Sequence, residues 1–349
     1  MFHQLFRTFA HLHINPAFCV LYFTSLLLFS CAEEKKKEPA SIQKPAVEKP
    51  KLPVLSVPVF NADSAYYYIE KQVDFGPRVP NTDAHRKCAL WMENELKSYG
   101  LEVLVQEGEV TAFNKKKLQI KNIIGRFNAE NPSRILLFAH WDVRPYADRD
   151  TKNRAKPIDG ANDGGSGVGV LLEIARQLSL NEDTPRVGVD IIFFDAEDYG
   201  QPSETMAQQQ GNTWCLGTQY WAKNPPIANY APRYGILLDM VGATDAVFPQ
   251  EAHSLYYAPY VVNNVWSTAA RLGYSNYFVN KREYRGLTDD HFYVNTMAKI
   301  PSIDIVHYHV GKSDFGHFHH THKDNMDIID KSTLKAVGQT LLEVIYRES

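Results

Sequence analysis

The stretch VGVDIIFFDAEDYG, residues 187–200, joins an almost wholly apolar segment to two adjacent carboxylates, Glu197 and Asp198. Adjacent carboxylates at the end of a buried strand repel each other unless a cation lies nearby. If that cation is a metal ion, one carboxylate can bind it while its neighbour works as a general base. Taken alone, the pair is also consistent with an acidic loop that caps the next helix. The other strand ends of the chain separate these two interpretations.

Strand-like and helix-like segments alternate from residue 57 onward. The predicted strands are residues 102–106, 118–126, 134–140, 187–194, 235–240 and 302–306. Helical spacing of apolar residues occurs up to residue 73 and at 84–99, 165–180, 216–222, 260–272 and 331–347. Several of the strands are apolar throughout, which is typical of parallel sheets covered on both faces. We therefore predict an α/β fold, a single three-layer sandwich with a mixed, mostly parallel central sheet flanked by helices, over residues 57–349.

The first thirty residues do not follow this pattern. Arg7 precedes an apolar run from Ile14 to Phe29, and Ser30 and Cys31 follow it before a charged segment. This arrangement resembles a bacterial lipoprotein signal peptide, residues 1–30, after which Cys31 carries the lipid. The alternative is a short amino-terminal membrane anchor, since the run is marginally long enough to span a bilayer.

Residues 31–56 are rich in Lys, Glu and Pro and are expected to form a disordered, solvated tether. We expect an exported lipoprotein, anchored to a membrane by its lipid, with the folded domain in the periplasm or at the cell surface. Export would permit a disulfide between Cys88 and Cys215, but two separate buried thiols are the simpler expectation. The formal net charge of −3 gives no electrostatic case for nucleic acid as a partner.

Polar residues follow the predicted strands where each strand ends. The polar segments are His140–Asp142, the loop 159–167 (DGANDGGSG), Asp195–Asp198, Asp239–Ala243 and the loop 307–324. A lone Asp or His at a strand end is usually a cap or a surface residue. Because the carboxyl ends of parallel strands meet at one edge of a sheet, five such segments favour a common site.

The residue types in these segments fit zinc. Zinc binds His nitrogen and carboxylate oxygen, and it keeps an open position when it is catalytic. The Gly-rich loop 159–167 could instead bind phosphate, but the leading Asp163 and the lack of a Lys after the glycines argue against that. The run GHFHHTH, residues 316–322, could be a surface metal-binding tract, and only one of its histidines need be catalytic.

Together, these motifs resemble those of the zinc aminopeptidase superfamily. Within it, the chain is most similar to the glutaminyl cyclases (glutaminyl-peptide cyclotransferases) of the animal type and their bacterial relatives. The similarity runs from Gly76 to the last predicted helix. The motifs that carry it are His140-Trp-Asp142, Gly160-Ala-Asn-Asp163, Phe193-Phe-Asp-Ala-Glu-Asp198, Leu237-Leu-Asp-Met-Val-Gly-Ala243, Asp289-Asp-His291 and His320-Thr-His-Lys-Asp324.

The resemblance implies roles for individual residues. Asp163, Asp198 and His320 match the ligands of one catalytic Zn²⁺, and the flanking histidines of the loop are less suited as ligands. Glu197 matches the general acid/base. A zinc site with three protein ligands and one open position is the arrangement expected of a catalytic ion.

Other matches concern proton transfer, a second ion and the substrate pocket. Asp239 and Asp289 match carboxylates that share hydrogen bonds with the general acid/base. His140 and Asp239 also match the second-metal ligands of two-zinc aminopeptidases, so a second ion is not excluded. The predicted pocket residues are Trp214, Thr288, which replaces a Gln of the animal enzymes, and His319, which replaces a Trp.

The activity implied by the resemblance is zinc-dependent cyclisation of the amino-terminal glutamine of peptides or proteins. The α-amine, deprotonated by Glu197, attacks the γ-carboxamide, which gives pyroglutamate and ammonia; a monomer is expected. The alternative is a two-zinc aminopeptidase in which Glu197 activates a water. A third class, a non-catalytic peptide- or metal-binding lipoprotein, predicts the loss of Glu197 or of a ligand, and all of these residues are present.

Overall fold

A computed structural model describes residues 54–202, 211–312 and 314–349. The predicted signal peptide, Cys31 and all but the last three residues of the predicted tether lie outside this range. The described residues belong to one compact unit, and the boundaries predicted for the signal peptide and tether stay predictions. None of the helices formed by the described residues is long and apolar enough to cross a bilayer.

A mixed sheet forms the centre of the structure. The strands in chain order are β1 (Glu102–Thr111), β2 (Lys117–Phe127), β3 (Arg134–His140), β4 (Gly188–Phe194), β5 (Gly235–Asp239), β6 (Phe248–Gln250), β7 (Phe278–Arg282) and β8 (Ser302–Val306). The central sheet has the order β1-β2-β4-β3-β5-β8, and β6 and β7 form a separate parallel pair. Strands β4, β3, β5 and β8 are parallel, whereas β2 is antiparallel to both of its neighbours. The predicted mixed, mostly parallel sheet is therefore confirmed.

Helices cover both faces of this sheet. They are α1 (Ala62–Asp74), α2 (Asp83–Ser98), α3 (Ser166–Leu180), α4 (Leu216–Lys223), α5 (Ala252–Tyr257), α6 (Pro259–Arg271), α7 (Asp290–Tyr293) and α8 (Lys331–Arg347). A π-helical turn, Val294–Ala298, continues α7, and a 3₁₀ turn, Met326–Ile328, precedes α8. The side chain of Asn61 caps α1 by accepting two backbone N–H groups.

Successive residues of β3 point to opposite faces of the sheet. Ile135 and Leu137 pack in one core cluster with residues of α1, α3 and α8, whereas Leu136 and Phe138 pack in another with Trp221 of α4. A strand that is buried on both faces is mostly apolar, which explains the continuous apolar run from Ile135 to Ala139. The three-layer arrangement agrees with the prediction.

The parallel strands bring their carboxyl ends to one edge of the sheet, where β3 ends at His140 and β5 at Asp239. The start of α3 lies against β5 because Gly167 has no side chain. A Cβ at this position would overlap the carbonyl oxygen of Leu238. This close approach carries the preceding loop, which contains Asp163, to the same edge.

Candidate active site

Three of the predicted ligands converge at this edge. Nε2 of His320 lies 3.2 Å from Oδ1 of Asp198 and 3.7 Å from Oδ2 of Asp163. All three side chains are buried, and Oδ2 of Asp198 has no hydrogen-bond partner among the described residues. Burial and the neighbouring Asp163 raise the pKa of Asp198 well above its ordinary value. An unpartnered carboxylate oxygen beside a second carboxylate and an imidazole is a donor set that fits Zn²⁺.

The ring of His320 is oriented for metal binding. Its Nδ1 lies 3.5 Å from Oδ1 of Asp148, which leaves Nε2 facing Asp163 and Asp198. Asp148 is in turn held by Arg144, whose Nε and Nη2 donate to its two oxygens at 2.6 and 2.9 Å. Burial lowers the pKa of His320 to about 3, so the ring is neutral and Nε2 keeps a lone pair. A carboxylate behind a ligating His is the usual way in which proteins fix its tautomer.

His319 lies close to the same atoms but is differently oriented. Asp163, His319 and His320 each place one possible ligand atom within 4.8 Å of the others. Nη1 of Arg149 lies 2.6 Å from Nδ1 of His319. Because an Arg remains protonated, it must donate this bond, and the proton of the neutral ring then sits on Nε2. A protonated Nε2 cannot bind a metal, which supports the prediction that His320, not His319, is the ligand.

Two buried carboxylates hold the segments that carry the predicted site residues. Asp142 accepts the N–H of Glu197 at 2.9 Å and that of Asp198 at 3.2 Å. Asp324 accepts the N–H of Asp163 at 3.0 Å and that of the preceding residue at 2.7 Å. The sequence contains both residues within its motifs, but no role for them could be predicted, because their partners are backbone groups far away in the chain.

Glu197 faces the site from a turn after β4. The turn passes through Ala196, whose φ of 51° is in the left-handed region, and Sγ of Cys215 lies 3.2 Å from Oε1 of Glu197. Burial raises the pKa of Glu197 well above its ordinary value, and the carboxylates of Asp198 and Asp289 raise it further. A carboxyl group with a raised pKa is suited to accepting and returning a proton.

Asp239 and Asp289 line the same cavity as Glu197. Burial raises the pKa of Asp239 to about 6. Burial, together with the charge of Asp239, raises the pKa of Asp289 to about 7. Carboxyl groups in such an environment hold protons that an isolated Asp would lose. The hydrogen bonds predicted between these two carboxylates and Glu197 stay a prediction.

His140 brings together the residues that match a second metal site. Its Nε2 lies 3.1 Å from Oδ1 of Asp163 and 3.2 Å from Oδ1 of Asp239. Burial opposes protonation of His140, but the carboxylates of Asp142, Asp163 and Asp239 raise its pKa well above the ordinary value. Either a second cation or a proton on His140 could therefore balance the charges of Asp163 and Asp239.

The cavity in front of these residues has a volume of about 380 Å³. The predicted pocket residues Trp214, Thr288 and His319 line it. The indole of Trp214 is nearly parallel to the ring of His320, with 6.0 Å between ring centroids and 8° between planes. The guanidinium of Arg144 lies 4.7 Å from the centroid of the same indole. Trp214 therefore lies beside the predicted ligand His320 in the wall of the cavity.

Comparisons with known proteins cover most of the chain. Residues 122–345 match the model of peptidase family M28. The chain is 54% identical to a Zn-dependent exopeptidase from Parabacteroides distasonis, over 84% of this chain and 100% of that one, with a TM-score of 0.81. It is 53% identical to the glutaminyl cyclase of Tannerella forsythia, over 84% of this chain and 100% of that one, with a TM-score of 0.80.

Aminopeptidase YwaD of Bacillus subtilis is more distantly similar. The two chains are 25% identical over 260 residues, which is 70% of this chain and 49% of that one. The chain thus spans about half the length of that aminopeptidase. Solved structures of further bacterial glutaminyl cyclases also match.

Proposed function

Because the chain belongs to peptidase family M28, we propose that it is a zinc-dependent glutaminyl-peptide cyclotransferase that converts amino-terminal glutamine to pyroglutamate. The observation that carries this proposal is the arrangement of Glu197, Asp239 and Asp289 around the cavity that Asp163 and His320 also line. The comparisons support it because the chain is identical to two bacterial glutaminyl cyclases at about half of the aligned positions.

Asp163, Asp198 and His320 would hold the catalytic ion. Their donor atoms are two carboxylates and one neutral imidazole, and the unpartnered Oδ2 of Asp198 is available for the metal. When bound, zinc supplies a Lewis acid that polarises a carbonyl oxygen of the substrate. Asp142, Asp148 and Asp324 are not among the residues that line the cavity; they hold the backbone or the ring of the site residues.

Glu197 moves the proton of the reaction. It accepts a proton from the α-amine of the substrate, the amine nitrogen forms a bond to the carboxamide carbon Cδ, and the bond from that carbon to the amide nitrogen breaks. Glu197 then returns the proton to the departing nitrogen, which leaves as ammonia. Burial raises the pKa values of Asp289 and Asp239. These two carboxyl groups would keep a shared proton close to Glu197.

The alternative reaction is hydrolysis of an amino-terminal residue by a two-zinc aminopeptidase. One specific observation favours it: His140, Asp163 and Asp239 each place a possible ligand atom within 4.8 Å of the others. In that enzyme Glu197 would take the proton from a water instead of from the substrate amine. The cyclase differs in that its nucleophile is part of the substrate, so it needs no water in the cavity.

One assay tests the two reactions on the same preparation. The purified folded domain is given a peptide that begins with Gln and, separately, a chromogenic leucine amide, before and after treatment with a chelator and after return of Zn²⁺. Ammonia and pyroglutamate from the peptide, lost with the chelator and restored by zinc, together with no cleavage of the amide, are expected. Cleavage of the leucine amide without ammonia release would overturn the proposal.

We also propose that the protein is an exported bacterial lipoprotein, with Cys31 lipidated and the enzyme in the periplasm or at the cell surface. Support comes from the apolar run up to Phe29, the Ser30-Cys31 junction and the Lys-, Glu- and Pro-rich composition of residues 31–56. Labelling with a radioactive fatty acid should mark the full chain but not the Cys31→Ser variant. Equal labelling of both would refute lipidation at this residue.

A further inference from the structure

The first residues of α4 are bound to the segment that carries Glu197. Three consecutive N–H groups, those of residues 215, 216 and 217, donate to the carbonyl oxygens of residues 197, 196 and 195 at 3.0, 2.9 and 3.0 Å. Gly217 permits this approach, because a Cβ at its position would overlap the carbonyl oxygen of Asp195. The backbone at the start of α4 thus fixes where Glu197 lies.

Cys215 adds a side-chain contact at the same place. The residue is fully buried, and its Sγ lies 3.2 Å from Oε1 of Glu197. Burial raises the pKa of the thiol well above its ordinary value, and the neighbouring Glu197 raises it further. The sulfur therefore keeps its proton and donates an S–H···O hydrogen bond to the carboxylate.

The backbone of Cys215 adopts a conformation that is energetically costly for any residue other than glycine. The φ of Cys215 is 53°, in the left-handed region that Gly favours, and Ala196 on the facing turn has a φ of 51°. Strained backbone of this kind persists only where the surrounding structure holds it, and it is common at functional sites. A Gly at position 215 would relieve the strain but would also remove the thiol.

We propose that Cys215 is a positioning residue for the general base. Its S–H group holds Oε1 of Glu197 and leaves Oε2 for the substrate. The inference rests on the proposed role of Glu197, but it does not depend on whether that proton comes from a substrate amine or from a water.

Substitution of Cys215 tests this role, with Cys88 as the matched control. Cys88 is also a free, fully buried thiol, but it packs in the main core, away from the cavity. For Cys215→Ala we expect kcat to fall about tenfold while KM changes less than about twofold, because the orienting bond is lost. Cys215→Ser keeps a donor and should recover kcat to within about threefold of the unchanged protein. Cys88→Ala should keep kcat and lose only stability.

Zinc content and two substrates keep the result interpretable. Both Cys215 variants should retain the zinc content of the unchanged protein, measured by metal analysis. Turnover is followed with whichever of the Gln peptide and the leucine amide the unchanged protein uses, so failure of cyclisation alone leaves this test intact. If Cys215→Ala does not fold, Cys215→Gly removes the thiol and suits the left-handed backbone.

Three results would overturn the proposal. One is an unchanged kcat in Cys215→Ala or Cys215→Gly. Another is an equal loss of kcat in Cys215→Ser and Cys215→Ala, which would mean that only the sulfur's size matters. The third is a loss of bound zinc in Cys215→Ala, which would make the cluster of Glu197, Cys215 and Asp289 a metal site.

Discussion

Replacing Asp142 by Asn is expected to disturb the site without removing any predicted ligand. The side chain is 0% exposed, and its oxygens accept the N–H groups of Glu197 and Asp198 at 2.9 and 3.2 Å. An Asn keeps one acceptor but turns an NH₂ group toward the other N–H. The variant loses a hydrogen bond to a charged acceptor, about 1.5–3 kcal/mol, and leaves a buried donor unpaired, about 1–3 kcal/mol. We expect the free energy of unfolding to fall by roughly 3 kcal/mol.

Function should suffer together with stability in this variant. Glu197 and Asp198 share the acceptor Asp142, so both the general base and a predicted ligand lose their support. Groups that orient ligands contribute about 10–100-fold to metal affinity or activity. Urea unfolding measures the stability, competition with a chelator measures zinc affinity, and ammonia release from a Gln peptide measures kcat.

Asp330→Asn is the matched control for this prediction. Asp330 also accepts two backbone N–H groups, but it does so as the cap of α8, away from the cavity. Asn is as good a cap as Asp, so the control should leave zinc affinity and kcat unchanged. If Asp142→Asn binds zinc and turns over substrate as the control does, the two hydrogen bonds of Asp142 do not support the site.

Three further predictions concern single residues. Glu197→Gln should abolish turnover and leave bound zinc unchanged; a large loss of zinc would contradict its role as a base. His320→Ala should lose zinc, whereas His319→Ala should keep it because Arg149 occupies the free lone pair of that ring; metal analysis of both decides. Burial lowers the pKa of His307 to about 4 in the folded protein. In the unfolded chain the same ring takes up a proton at about pH 6.5. The free energy of unfolding should therefore decrease by about 3 kcal/mol as the pH falls from about 6.5 to about 4. His307→Asn should flatten this dependence in urea unfolding.

The sequence predicts the elements that carry a strong apolar pattern. The strands from Arg134 to His140 and from Ser302 to Val306 and the helix from Lys331 to Arg347 have the predicted boundaries. The pair β6 and β7 was not predicted. β7, Phe278–Arg282, is mostly exposed and ends in charged residues, so its extended form depends on pairing with β6, a contact that local pattern does not contain.

The two adjacent histidines show what the sequence alone does not predict about the site. His319 and His320 have the same side chain and are neighbours in the chain, so composition and spacing treat them alike. The structure distinguishes them through Asp148 and Arg149, which lie about 170 positions earlier in the sequence. The resemblance to a family selects His320, and only the fold supplies the physical reason for that selection.

Asp163 bears on the choice between the two reactions. Its Oδ2 faces His320 at 3.7 Å and its Oδ1 faces His140 at 3.1 Å, so one carboxylate joins both predicted metal sets. A bridging carboxylate serves a second ion in hydrolysis, but a protonated His140 satisfies the same oxygen without any ion. In cyclisation the nucleophile is part of the substrate, so no second ion is needed to activate a water. The proton on His140 is then enough to balance the charge of Asp163. The number of zinc ions bound at saturation, measured beside ammonia release, therefore distinguishes the two reactions: one ion with ammonia release supports the cyclase, and two ions with amide cleavage support the peptidase.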